Sequence, residues 1–203
     1  MKKSILSFLI LMAGTSLVRA QSDSSKWNFS ADANFYLMPD DFFVLPVFRA
    51  DKNKLHLEAR YNYEDFETFS GWIGYNFIGG GDLEYTITPM AGGVAGNSNG
   101  MGAGLEITLN YKRFELYTES ENFFDFESSD NNFFYNWSDL TYSPADWLWF
   151  GISGQRTRLY QTDLDIQRGI ILGAGYKNFE LTTYTFNLGF DDPFFIITLS
   201  AGF

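Results

Sequence analysis

Residues 194–203 read FFIITLSAGF, and from Phe195 every second side chain, Ile197, Leu199, Ala201 and Phe203, is apolar. Thr198 and Ser200 fall on the other face, which is the alternation of a strand with one apolar side. A strand that stays apolar to its last residue frays unless neighbours hold it, because unpartnered terminal residues cannot offset the entropy of being ordered. The same period recurs along the chain. In LHLEARYNYE, residues 55–64, Leu55, Leu57, Ala59, Tyr61 and Tyr63 oppose His56, Glu58, Arg60, Asn62 and Glu64. In MGAGLEITLNY, residues 101–111, Met101, Ala103, Leu105, Ile107, Leu109 and Tyr111 oppose Glu106, Thr108 and Asn110. WNFSADANFYL, residues 27–37, sets Trp27, Phe29, Ala31, Ala33 and Phe35 against Asn28, Ser30, Asp32 and Asn34.

Carried through the sequence, this pattern predicts an all-β antiparallel barrel of about twelve strands, over 27–38, 43–50, 55–64, 68–78, 83–94, 101–111, 114–123, 133–142, 147–157, 167–177, 179–188 and 194–203. The segments 43–50, which contains Pro46, and 133–142 alternate weakly, so ten strands are the alternative and an odd number is not expected. Strands of this length match the roughly 9–11 residues that cross a bilayer at a tilt. Tight connections, such as DKNK at 51–54, KR at 112–113 and KN at 177–178, alternate with longer or more acidic ones at 123–132 and 158–165. NYKRFELY at 110–117 and GYKNFELT at 175–182 look like one hairpin used twice.

The first twenty residues join Lys2 and Lys3 to a short apolar run and then to Val18-Arg19-Ala20, the layout of a cleaved signal peptide. Residues 21–203 then form one domain. Loss of that leader leaves 11 Lys plus Arg against 25 Asp plus Glu, a net charge of −14. So acidic a chain is a poor nucleic-acid ligand, since phosphate contacts need Lys and Arg. Cys is absent, which excludes disulfides and thiolate metal sites. Neither a metal nor a cofactor is expected. Aromatic residues make up 19% of the chain and gather near strand ends (Trp27, Tyr61, Tyr63, Tyr75, Phe77, Tyr111, Phe114, Tyr176 and Phe179), as in the girdles of membrane barrels.

The leader, the even-stranded alternation and the terminal aromatic resemble a Gram-negative outer-membrane β-barrel. That resemblance implies export to the outer membrane, contact with its lipid and lipopolysaccharide, and a last strand read by the barrel-assembly machinery. Phe195, Ile197, Leu199, Ala201 and Phe203 match the assembly pattern, Ala201 less well than an aromatic would. The last strand would pair with the first, leaving no edge in hydrocarbon.

On that topology the inward face carries Asp32, Glu58, Glu64, Glu84, Glu106, Glu115, Glu119, Glu121 and Glu180 against Arg60, Lys177 and His56. Glu58, Arg60, Glu84, Glu106, Glu115 and Glu119 are the candidate lumen and selectivity residues. An acidic lumen favours cations; alternatively, Arg60 bridges carboxylates and plugs a closed barrel. Gly92, Gly102 and Gly104 face inward, either widening a pore or receiving Trp147 and Trp149. Arg156, Arg158 and Arg168 fall on the outward face at the top of one hairpin, placed to grip lipopolysaccharide phosphates. The acidic stretch with Glu119, Glu121, Asp125, Glu127 and Asp130 lacks calcium-loop spacing and reads as solvated.

The single histidine, His56, lies near the periplasmic end and lacks a nearby Ser motif, so no catalytic residue is assigned. The reading is a small passive channel, porin-like and cation-preferring, for small polar or cationic solutes. Its rival is a closed structural or interaction barrel whose extracellular loops bind a partner.

Overall fold

The computed structural model describes residues 26–156, 166–190 and 192–203. The signal segment 1–20, Arg158 and the loop 158–165 lie outside them. The strands run β1 (Asn28–Leu37), β2 (Phe42–Lys52), β3 (Leu55–Tyr61), β4 (Phe69–Tyr75), β5 (Phe77–Gly80), β6 (Leu83–Ala95) and β7 (Gly100–Tyr111). They continue as β8 (Phe114–Asp125), β9 (Phe133–Ala145), β10 (Leu148–Arg156), β11 (Gln167–Tyr176), β12 (Phe179–Phe186) and β13 (Phe194–Gly202). All pair antiparallel with their sequence neighbours, except that β4 and β5 both pair with β6 and not with each other, and β1 pairs with β13. Phe203 closes the seam: its N–H donates to the Phe29 carbonyl at 2.9 Å, and Phe29 N–H donates back to the Phe203 carbonyl at 3.3 Å. This is what holds the apolar last strand in place.

β4 and β5 are one stave. Both pair with β6 on a single register, Gly74 opposite Met90 and Phe77 opposite Ile87. The interruption at Asn76 falls beside Pro89, which has no N–H to give the ladder. Thr88 Oγ1 donates to Asn76 Oδ1 at 2.7 Å across the gap. The barrel therefore has twelve staves, the expected even number. Both weakly alternating segments are full strands. β2 hides its period because both faces are apolar: Phe43, Leu45 and Val47 are buried, while Phe42 and Phe48 are exposed.

The outward face bears the apolar side chains throughout. Phe69, Ile73, Ile78, Ile152, Ile170, Leu172 and Phe195 are each about half exposed or more. A continuous apolar band of this kind suits hydrocarbon and is far larger than soluble monomers tolerate. The repeated hairpins match as expected. Lys112 and Lys177 each open a two-residue turn at φ 56°, with Tyr111 opposite Phe114 and Tyr176 opposite Phe179. Lys52, Lys54, Lys112 and Lys177 place their Nζ atoms 5.1–5.5 Å from the rings of Trp27, Tyr75, Tyr111 and Tyr176. Ammonium groups over girdle rings mark the short-turn end as an interface, where the stem stays apolar and the charge reaches water.

Candidate functional site

The inward side chains are set by register, row by row. Trp72 on β4 lies opposite Gly92 on β6, and Gly92 lies opposite Gly102 on β7. The indole covers both glycines: a Cβ on Gly92 or Gly102 would stand 2.4 or 2.2 Å from its ring. Trp72 Nε1 donates to Glu64 Oε1 and Ser70 Oγ, each at 3.1 Å. Met90 fills the space over Gly104 in the same way. The glycine-rich wall thus receives a bulky partner, but that partner is Trp72 and not Trp147 or Trp149. Trp147 is exposed, and Trp149 lies over Gly173, its neighbour in register on β11.

Beside Trp72 runs an ion-pair network. Arg49 on β2 pairs with Asp32 of β1 and, at 2.8 Å, with Glu58 of β3. Arg60 contacts Glu58 and reaches Glu119 and Glu121 on β8 at 3.0 and 3.3 Å. β3 and β8 lie on different sides of the ring, with β4, β6 and β7 between them, so Arg60 bridges the interior. Its guanidinium also stands 4.2 Å from the Tyr63 ring centre and 5.0 Å from that of Trp72. His56 Nδ1 lies 2.8 Å from Asp51, and its Nε2 lies 3.1 Å from Glu58 and 4.0 Å from Glu106. His56, Glu58 and Glu106 therefore bring three metal-competent atoms within 4.8 Å of one another. Both Glu58 oxygens already face guanidinium groups, which repel a dication, so the cluster reads as part of the ion-pair network.

A cavity of about 1200 Å³ opens from the turn end, where Lys112, Arg113, Ser143 and Asp146 border it. Glu84, Glu106, Glu115, Glu119, Asp139 and Glu180 line it, together with Tyr36, Tyr63, Tyr117, Tyr135, Trp137 and Tyr184. Toward the other end the interior is packed with rings. Trp137 meets Tyr184 and Phe186 at 5.3 Å, Phe186 stacks on Phe194 at 4.9 Å, and Tyr36 stacks on Phe43 at 4.6 Å.

The loop 62–68 joins this layer by turning inward. Phe66 sits edge-on to Phe43 at 5.0 Å and Tyr63 edge-on to Tyr135 at 5.8 Å. Glu64, in the same loop, is 2% exposed and accepts from Ser70 Oγ at 2.6 Å. Burial pushes its carboxyl above the ordinary range, against the opposing pull of Arg60 and the Ser70 hydrogen bond.

The expected lumen residues separate into two groups. Glu58 and Arg60 are enclosed within the network, whereas Glu84, Glu106, Glu115 and Glu119 border the cavity. Tyr63 is not a girdle residue: the loop carries it inside. Lys177 is not in the lumen, since its turn holds it over Tyr176. Glu119 and Glu121 lie within β8 and not in a solvated loop; Asp125 ends that strand and accepts from the backbone N–H groups of Glu127 and Ser128. Arg156 and Arg168 are exposed on the outward face as expected, with Arg168 5.9 Å from the Phe190 ring. The sequence reading missed Arg49 and Asp139. Arg49 keeps period two with Val47 and Asp51, a signal obscured by the apolar faces of β2.

No protein-family model matches the chain, and no curated protein matches it in sequence. Among solved structures, the KdgM porin aligns with a TM-score of 0.62 at 13% identity, over 86% of this chain and 99% of that one. The KdgM porin in complex with disordered oligogalacturonate gives 0.61 at 11% identity, over 86% and 99%. OccK5 of Pseudomonas aeruginosa gives only 0.46 at 10%, over 87% and 66%. At such identities the likeness is one of fold: a closed antiparallel β-barrel like that of the KdgM porin.

Proposed function

We propose that this chain is an outer-membrane channel for small polar solutes that prefers cations. The observation that carries the reading is the large cavity lined by Glu84, Glu106, Glu115, Glu119, Asp139 and Glu180. Arg49 on its wall and Arg60 next to it are each held by two or more carboxylates, and with Lys112 and Arg113 at the turn end the acidic side chains of the lining still outnumber the basic ones. A carboxylate-lined passage with low-dielectric walls concentrates cations and repels anions. The fold shared with the KdgM porin supports a channel. Oligogalacturonate, the polyanion held by that neighbour, would be repelled here.

The test is single-channel conductance of the refolded barrel in planar bilayers under a KCl gradient. The expected result is steady cation-selective steps whose reversal potential moves toward zero in Glu106→Gln or Glu119→Gln. A folded barrel that carries no current overturns the proposal.

In this reading residues 1–20 are a cleaved signal and 21–203 the barrel. Arg156, Arg158 and Arg168 meet lipopolysaccharide phosphates. Phe195, Ile197, Leu199 and Phe203 form the assembly signal; the first three are outward and exposed on β13. Deleting Phe203 also removes both seam hydrogen bonds to Phe29, so the yield of heat-modifiable barrel in the outer membrane is expected to fall sharply. Unchanged yield would remove Phe203 from the assembly role. A second reading, a closed barrel that binds a partner through its loops, is favoured by the Arg60 bridge and the packed ring layer.

A further inference from the structure

Asp139 is the carboxylate that the ion-pair network leaves out. It lies on β9, in register with Tyr117 on β8 and Ser153 on β10, and is 8% exposed. Ser153 Oγ donates to its Oδ1 at 2.6 Å and Tyr184 Oη to its Oδ2 at 3.1 Å. Both donors are neutral. Among the described residues no Lys, Arg or His stands within 4.0 Å of it, whereas Asp32, Glu58, Glu119 and Glu121 each face a guanidinium. Asp139 borders the cavity, and so do the aromatic side chains Trp137, Tyr184, Tyr117 and Tyr36. The Trp137 and Tyr184 rings meet edge-on at 5.3 Å on the Asp139 side of that space.

We infer that this corner of the lumen, Asp139 with Trp137, Tyr184, Tyr117 and Tyr36, is a binding site for organic ammonium cations. The inference rests on the channel reading and names the solute class that the cavity holds. Ring faces attract a cation through their quadrupole, and most strongly where water is thin. A carboxylate satisfied by neutral hydroxyls adds the counter-charge without supplying a competing cation. A bare metal ion fits less well, because Ca²⁺ or Mg²⁺ needs six or more oxygen ligands and this wall offers one carboxylate among rings. An alkylammonium spreads its charge over methyl or methylene groups that pack on aromatic faces, so it uses both halves of the wall.

The test is calorimetric titration of the refolded wild-type barrel in detergent with choline, at fixed ionic strength. Its uncharged isostere dimethylbutanol and galacturonate serve as controls. Saturable choline binding is expected, with neither control binding, and Asp139→Asn should weaken it by about tenfold or more through loss of the counter-charge. Equal binding of choline and dimethylbutanol overturns the inference even if Asp139→Asn does not fold. So does an Asp139→Asn barrel that binds choline as tightly as wild type. The two readings separate cleanly. A barrel that conducts K⁺ yet ignores choline defeats the ammonium site alone, and one that binds choline without carrying current defeats the channel alone.

Discussion

Arg60→Ala is expected to open the interior and weaken the barrel together. Arg60 is 2% exposed, pairs with Glu58 on its own strand and bridges β3 to β8 through Glu119 and Glu121. Its loss leaves Glu119 and Glu121 without a guanidinium and Glu58 with Arg49 alone, and breaking a buried ion pair from one side costs roughly 3–5 kcal/mol. Unfolding in urea should shift to markedly lower denaturant in vesicles. Removing the bridging side chain also clears the lumen beside Tyr63 and leaves the charge of Glu119, which already borders the cavity, without its counter-ion. Single-channel conductance should therefore rise severalfold and cation preference should strengthen. Arg60→Lys keeps a charge but loses the fork that spans several carboxylates, so it should fall between the two. If Arg60→Ala is less stable but its conductance is unchanged, the bridge is not the constriction and the ring layer around Trp137 and Phe186 is.

Gly102→Val is expected to prevent or severely slow folding. A Cβ there would stand 2.2 Å from Trp72 Cη2. The indole cannot swing aside, because it is 3% exposed and tied to Glu64 and Ser70. Overpacking usually costs about 1–3 kcal/mol, and here neither the strand backbone nor the ring can relax. The measurement is the fraction of refolded protein that shows heat-modifiable mobility. Trp72→Ala alone should also destabilise, by leaving a hole. Combined with Gly102→Val it should recover part of the folded fraction, since the two sites share one space and their effects are coupled. Additive losses in the double variant would show that the glycine is needed for something other than Trp72.

Period-two alternation exposed almost every stave, because a side chain's face depends only on its parity within a strand. That is why Glu58, Glu106, Glu115 and Glu119 could be placed inside, and Arg156 and Arg168 outside, from sequence. β2 resisted the same reading: with Phe42, Val44, Pro46 and Phe48 outside and Phe43, Leu45 and Val47 inside, its apolar residues carry no period. Arg49 was lost with it. Tyr63 was misplaced for a different reason, since parity stops at Tyr61, where β3 ends and the loop takes over.

The sequence by itself determined an even number of strands, twelve or ten, the lipid-facing side and the pairing of the last strand with the first. Those properties follow from local period and from the need to satisfy every backbone group in hydrocarbon. Parity says which way a side chain points but not what it meets, and across a barrel the answer depends on stagger and tilt. Only the tertiary structure decided that Trp72 covers Gly92 and Gly102, that Arg60 reaches β8, and that the loop 62–68 turns inward. Only there does Asp139 emerge as a carboxylate ringed by aromatics with no cation beside it among the described residues.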